Sequence, residues 1–245
     1  MGRMGGRGRR PFQEERAPFN PDSWTPKTEI GRKVKAKEIV SIEEILEQGK
    51  PILEHEITDM LVPALAENVL EIRNVQRMTD CGRKAVFRVV VLMGDGQGHA
   101  GIGVGRAPEV KPAIEQGIKY AKRNVVKIPL GCGSWECGCN TKHTVPITVK
   151  GSSGSVEVVI KPAPKGLGIA ASEVVKKVLR AAGVKDAWSF TRGKTSSIYN
   201  TSMATLGALD SLNGMKIRGD WESKFEGKEE SGAAAAEPAG APASA

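Results

Sequence analysis

Between Arg83 and Lys127 the chain dictates most of its own architecture. A run of β-branched and apolar residues, Arg88-Val89-Val90-Val91-Leu92-Met93, breaks at Gly94-Asp95-Gly96-Gln97-Gly98 and resumes as Gly101-Ile102-Gly103-Val104-Gly105. Strand, tight turn and second strand are what such a pattern requires. A basic helix follows. Val110, Ala113, Ile114, Gly117, Ile118 and Ala121 recur at helical spacing while Lys111, Lys119, Lys122 and Arg123 take the other faces, so one side can pack on a sheet and another can meet phosphate. Gly94, Gly96 and Gly98 permit positive φ in the hairpin loop. Gly101, Gly103 and Gly105, spaced by two, put hydrogen atoms on one strand face, which a helix or an RNA backbone can then approach closely.

Charge agrees with a polyanionic partner. The 245 residues carry 36 Lys+Arg against 28 Asp+Glu, a net charge of +8, with a pI near 9.4. The positive excess is unevenly placed: residues 38 to 71 hold nine acids and one base, Lys50. A solvated basic protein would show the same totals, but Arg73, Arg77, Arg83, Lys84 and Arg88 crowd at one turn and along one strand, which favours phosphate contacts. No run of 18 apolar residues exists, and the amino end lacks the apolar core of a secretory signal. Four cysteines, three of them within eight residues, do not make a disulfide scaffold, so a reducing cytoplasm is expected.

The remaining elements are read from period and punctuation. Residues 1–30, rich in Gly, Arg and Pro, read as a basic tail, and 216–245 as a solvated appendage. Residues 31–66 form an acidic helical extension. Within it Ser41-Ile42-Glu43-Glu44 suggests a capping box for a helix to about Gly49, and a second helix covers Ile57 to Leu65, ending near Pro63. These acidic helices should face protein or solvent. From Asn68 period two predicts a half-buried strand, and Pro108 and Pro112 are expected in the first turn of the basic helix. Residues 67–128 thus make one α/β layer pair, 129–143 a Cys-rich connector, and 144–215 a second. In the second unit, strands are predicted over Thr144–Lys150 and Ser155–Lys161 about a turn at Gly151–Gly154. A helix over Ser172–Ala182, a strand over Ala187–Thr191 and a helix over Thr201–Leu212 follow. The fold class is α+β, two small α/β sandwiches joined by a loop.

Enzyme-like signals are weak. Gly96-Gln97-Gly98-His99-Ala100-Gly101 matches the dinucleotide fingerprint in letters, yet a strand follows where that motif needs a helix. Gly193-Lys194-Thr195 resembles the end of a P-loop, but Trp188 stands where its first glycine belongs. His55, His99 and His143 have no nucleophile-plus-base surroundings, so no catalytic residue is expected. One cluster is chemical. Cys132, Cys137, Cys139 and His143 make a tetrahedral zinc set by ligand type, although C-x4-C-x-C-x3-H is not the usual paired knuckle. Reduced buried thiols, or an oxidised pair, are the alternatives, with Cys81 a spare sulfur.

The run Gly94-Asp95-Gly96-Gln97-Gly98-His99-Ala100-Gly101-Ile102-Gly103-Val104-Gly105-Arg106-Ala107-Pro108-Glu109-Val110, followed by Ala121-Lys122-Arg123-Asn124, resembles the signature of the universal small-ribosomal-subunit protein five family. So do Lys161-Pro162-Ala163-Pro164-Lys165-Gly166-Leu167-Gly168-Ile169 and Ala181-Ala182-Gly183-Val184-Lys185-Asp186. The match covers about residues 67 to 215. The Cys-rich connector and long amino extension are similar to archaeal members. The resemblance implies a double-stranded-RNA-binding-like first domain and a second domain of the type named after this family. It implies binding to 16S-type rRNA, a place at the mRNA entry channel beside small-subunit proteins four and eight, and support of decoding accuracy. Carried onto this chain, the RNA-binding residues are Arg73, Arg77, Arg83, Lys84, Arg88, Gly96, Gln97, Gly98, His99, Arg106 and Lys165, with Lys122 and Arg123 on the basic helix. A free-standing double-stranded-RNA-binding protein is the alternative.

Overall fold

A computed structural model describes residues 24–139 and 141–215. The first unit is an antiparallel sheet in the order β1-β2-β3-β4, from β1 (Ala66–Thr79), β2 (Gly82–Gly94), β3 (His99–Ala107) and β4 (Val125–Lys127). Helix α4 (Val110–Arg123) joins β3 to β4 and lies on one face. The second unit has the order β5-β6-β8-β7, from β5 (Val149–Ser153), β6 (Val156–Pro162), β7 (Ile169–Ala170) and β8 (Ala187–Arg192). Its helices are α5 (Glu173–Ala181) and α6 (Ile198–Asp210), the latter ending in a 3-10 turn. The expected pair of mixed α/β units is present, as two separate sheets.

The apolar run in β2 has a plain cause. Val89, Val91 and Met93 pack under α4, while Val90 and Leu92 point the other way into a core shared with the second unit. Ala100 and Ile102 of β3 join Val158, Ile160, Val178, Leu179 and Leu209 there. The first sheet is therefore covered on both faces, which forces a continuous apolar run rather than alternation. Helix α6 is correspondingly buried almost all round, with Ser202, Thr205, Leu206 and Leu209 all inside. Its buried hydroxyls are satisfied locally: Thr205 Oγ1 donates to the Thr201 carbonyl at 2.8 Å.

Among the described residues, three helices precede the first sheet: α1 (Glu29–Lys35), α2 (Ile42–Glu47) and α3 (His55–Leu61). Trp24, Val34, Ile42, Ile45, Ile52 and Ile57 bury one another in a small core that also takes in Val125 of β4. This corrects the reading of residues 24–30 as tail. The Trp24 indole donates to Glu54 at 3.0 Å, and the Lys27 and Thr28 amides donate to the same carboxylate at 2.8 and 2.6 Å. Burial raises the Glu54 pKa, but these donors outweigh it and the carboxyl is held below its ordinary value. Thr28 then caps α1 by accepting from the Gly31 amide. The readings for 1–23 and 216–245 lie outside the described residues.

Other boundaries shift for local reasons. Helix α3 ends before Pro63, starting two residues earlier than read. Pro108 precedes the N-cap Glu109, so only Pro112 sits in the first turn of α4. Ser41 Oγ donates to the Glu44 carboxylate at 2.9 Å instead of accepting from the helix backbone, so the capping box does not close. The strand predicted at Thr144 begins at Val149, and its turn moves to Gly154 and Ser155. Pro146 has no amide hydrogen for a ladder. Short strands β4 and β7 were not expected; two or three residues carry no period. Helix α6 begins three residues before its predicted start.

Strand β1 departs most from expectation. A bulge between Val69 and Glu71 shifts its register, and beyond it the β1–β2 hairpin runs past the core as an exposed arm. Ile72, Val75 and Met78 are exposed there, Met78 at 72%.

Candidate nucleic-acid interface and metal centre

The arm arranges its cations by register. Residues directly opposite in an antiparallel ladder share a face. Arg73 pairs with Arg88, and Arg88 pairs with Arg106, so three arginines form one row across β1, β2 and β3. Two residues further out Val75 faces Val86, and beyond them Arg77 faces Lys84. Arg83, opposite Met78, lies on the reverse face near the tip. Like charges facing across strands repel by about 0.2–1 kcal/mol a pair. The repulsion is only partly relieved: Glu71 pairs with Arg73, and the Arg88 guanidinium lies over the Tyr199 ring, 4.8 Å from its centroid. The buried Arg88 Nε has no hydrogen-bond partner among the described residues. A flat, stacked cation beside two more cations suits a phosphate oxygen, reached through the guanidinium's other donors rather than the buried Nε.

The glycine-rich turn serves a different purpose. The Gly96 amide donates to the Ala181 carbonyl at 3.0 Å, at the end of α5. Gly183, at φ +88°, sits so close to Gly96 that a Cβ there would lie 2.7 Å from the Gly96 carbonyl carbon. Gly98 is buried, while Gly96 and Gln97 are exposed. Asp95 organises the loop, accepting from the Gln97 amide at 2.8 Å, the His99 amide at 3.0 Å and His99 Nδ1 at 2.7 Å. Burial alone would raise the Asp95 pKa, but these bonds lower it. Gly98 and His99 are therefore engaged within the turn, whereas Gly96, although its amide is tied to α5, stays exposed beside Gln97. Gly101, Gly103 and Gly105 likewise receive a helix: Cβ atoms there would run into Ala121, Gly117 and Ala113 of α4.

Lys122 needs the same correction. Its ammonium pairs with Asp59 of α3 at 2.5 Å and is largely covered, while Thr58 donates to its carbonyl at 2.8 Å. Lys127 pairs with Glu43 of α2 at 2.9 Å. The acidic helices thus neutralise Lys122 at the far end of α4 and Lys127 at the end of β4, so they face protein. Arg123 remains exposed beside Tyr120, and Lys165 is exposed on the loop after β6. That loop also borders a cleft of about 550 Å³ lined by Gly96, Gly168, Lys176, Arg180 and Lys185.

The connector brings its four candidate ligands together. Cys132, Cys137, Cys139 and His143 place their ligand atoms within 4.8 Å of one another. Cys139 Sγ lies 3.7 Å from Cys132 Sγ, and His143 Nε2 lies 3.3 Å from Cys132 Sγ and 3.7 Å from Cys137 Sγ. Four ligands at about 2.0–2.3 Å from one tetrahedral ion stand roughly 3.4–3.8 Å apart, so the spacings fit such an ion. Cys81 is exposed in the turn before β2 and takes no part. All four thiols are free in this structure. Burial, with the neighbouring Cys139 and Cys137, pushes the Cys132 thiol up to about 12. Burial opposes ionisation of Cys139 too, but hydrogen bonds led by Thr141 Oγ1 at 3.2 Å bring it down to about 6. One thiolate is thus favoured at neutral pH, and a cation would recruit the others.

The residue sequence reading missed is Asp186. Buried at 5% exposure, it accepts from His143 Nδ1 at 2.9 Å across 43 positions of sequence, fixing the imidazole with Nε2 toward the thiols. A lone Asp after Lys185 gives no local sign of this.

The family description "Ribosomal protein S5, N-terminal domain" matches residues 65–129, and "Ribosomal protein S5, C-terminal domain" matches residues 151–221. The chain belongs to the ribosomal protein S5 family. Among its relatives, the small ribosomal subunit protein uS5 of Methanocaldococcus jannaschii is 51% identical over 80% of this chain and 90% of its own length. That of Methanococcus maripaludis is 49% identical over 81% and 88%, and that of Aeropyrum pernix 47% over 85% and 96%. The two matched S5 segments take in the two sheets, and the Cys-rich connector lies between them. Among the described residues of this S5-family chain, no helix is long and apolar enough to cross a membrane.

Proposed function

We propose that this chain is an archaeal-type structural constituent of the small ribosomal subunit, acting in the cytoplasm within the ribosome and not as an enzyme. Its first sheet and α4 serve as a double-stranded-RNA-binding-like unit. The observation that carries the reading is the Arg73–Arg88–Arg106 row, three cations in register across three strands, continued by Arg77 and Lys84 along the arm. These contacts, with Arg83, Arg123 and Lys165, hold small-subunit rRNA by its phosphates, while RNA shape supplies most specificity. The same family membership supports a position at the mRNA entry channel beside small-subunit proteins four and eight, with a part in decoding accuracy. The connector holds one structural zinc through Cys132, Cys137, Cys139 and His143, a reading supported by its ligand spacings.

The test is fractionation of the endogenous chain from gentle, low-ionic-strength lysates. Co-sedimentation with small subunits is expected, and release should follow rising salt. A chain found wholly apart from the particles, yet binding generic duplex RNA, would replace this reading with a free-standing RNA-binding protein.

A further inference from the structure

We infer that the Cys3His centre controls the order of the Pro164–Gly168 loop, through His143 and Asp186. The inference rests on the zinc reading above and adds a consequence to it. Asp186 is a two-sided acceptor. One carboxylate oxygen takes the His143 Nδ1 proton at 2.9 Å, and the other takes the Gly166 and Gly168 amides at 3.2 and 2.7 Å. Gly166 and Gly168 both adopt positive φ, +91° and +75°, so the backbone makes a tight concave turn around the carboxylate. The connection is doubled in the main chain, because the Lys185 and Asp186 amides both donate to the His143 carbonyl at 2.9 and 3.1 Å.

The physical reason for control is that an imidazole held at only one nitrogen can swing, whereas one held at both cannot. Zinc at Nε2 fixes the Nδ1 proton in place and leaves Asp186 one orientation in which both oxygens are satisfied. The loop that Asp186 holds carries exposed Lys165 and forms one wall of the basic cleft opposite Lys176 and Arg180. Metal loading therefore sets the position of a cationic loop that holds none of the four ligands.

Amide exchange of Gly166 and Gly168, followed by NMR on the full chain with Zn²⁺ added or chelated, tests this. Zinc loading is expected to slow both amides by about tenfold or more, since exchange follows local opening. Cys139→Ser should abolish the slowing although residue 139 is not among the loop's hydrogen-bond partners. Asp186→Asn should abolish it too, because one oxygen and one amide group cannot accept on both sides, and zinc affinity should fall about 10–100-fold. If either variant fails to fold, chelation of the wild-type chain carries the test alone. One bound zinc with unchanged Gly166 and Gly168 exchange overturns the control and leaves the metal site standing. Absence of stoichiometric zinc overturns both.

Discussion

Replacing Gly103 with Ala separates the two uses open to a glycine-smoothed strand. A Cβ at position 103 would overlap the Gly117 carbonyl oxygen and the Ala121 amide, and lie 2.9 Å from the Ala121 Cα. All three are helix backbone, so no flexible side-chain end can yield, and α4 itself must shift off the sheet. Overpacking of this kind costs about 1–3 kcal/mol. The alanine also restricts the unfolded chain, returning about 0.4–1 kcal/mol. A net loss of about 1.3 kcal/mol should lower the melting temperature by roughly 3–5 °C for a chain of this length. Urea denaturation of the full chain measures it directly, with Gly207→Ala as control. Gly207 is exposed in α6 with open space around it, so alanine there should stabilise by up to about 1 kcal/mol. If Gly103→Ala left stability unchanged but weakened RNA binding, the smooth face would belong to RNA and the packing argument would fail.

Substituting Arg73, Arg88 and Arg106 together by Ala should reduce the salt slope of RNA binding by about two to three units, one for each phosphate no longer neutralised; a slope like that of wild type would show that the row meets no phosphate. Zinc affinity, measured by chelator competition, should fall steeply from pH 8 to pH 6, because the Cys132 thiol, held up at about 12, must lose its proton to bind. Proton release on zinc addition is the companion readout, and pH-independent binding would contradict thiolate ligation. Asp95 has a depressed folded-state pKa, so its stabilisation is present above the unfolded value, about 3.9, and is lost as pH falls through the folded one. The stability gap between wild type and Asp95→Asn should be widest near neutrality and close in acid, and a gap that persisted at low pH would point to something other than the ionised carboxylate.

The sequence was most legible where one constraint acts at a time. The β2–turn–β3–α4 succession followed from period and glycine alone, because a buried sheet face and an amphipathic helix both write themselves into spacing. Which partner meets a smooth or charged face is not local information. Lys122 reads as a phosphate ligand until Asp59, some sixty residues earlier, is folded onto it. His99 reads as an exposed loop residue until Asp95 engages it. The four candidate metal ligands lie close in sequence and could be named there, whereas nothing local marks Asp186 as the partner of His143. Trp24 was missed because Gly, Arg and Pro on either side mask a single aromatic anchor whose hydrogen-bond partner, Glu54, is 30 positions away.

The interlocked backbone at Gly94, Gly96, Ala181 and Gly183, with no room for a methyl group at positions 94 and 183, leaves the joint between the halves little play. A protein so braced behaves as a caliper: its protruding hairpin and its opposite basic hollow keep a set separation. Two segments of nucleic acid seized at those ends would be held to that gauge, and the chain would resist their drifting apart or together.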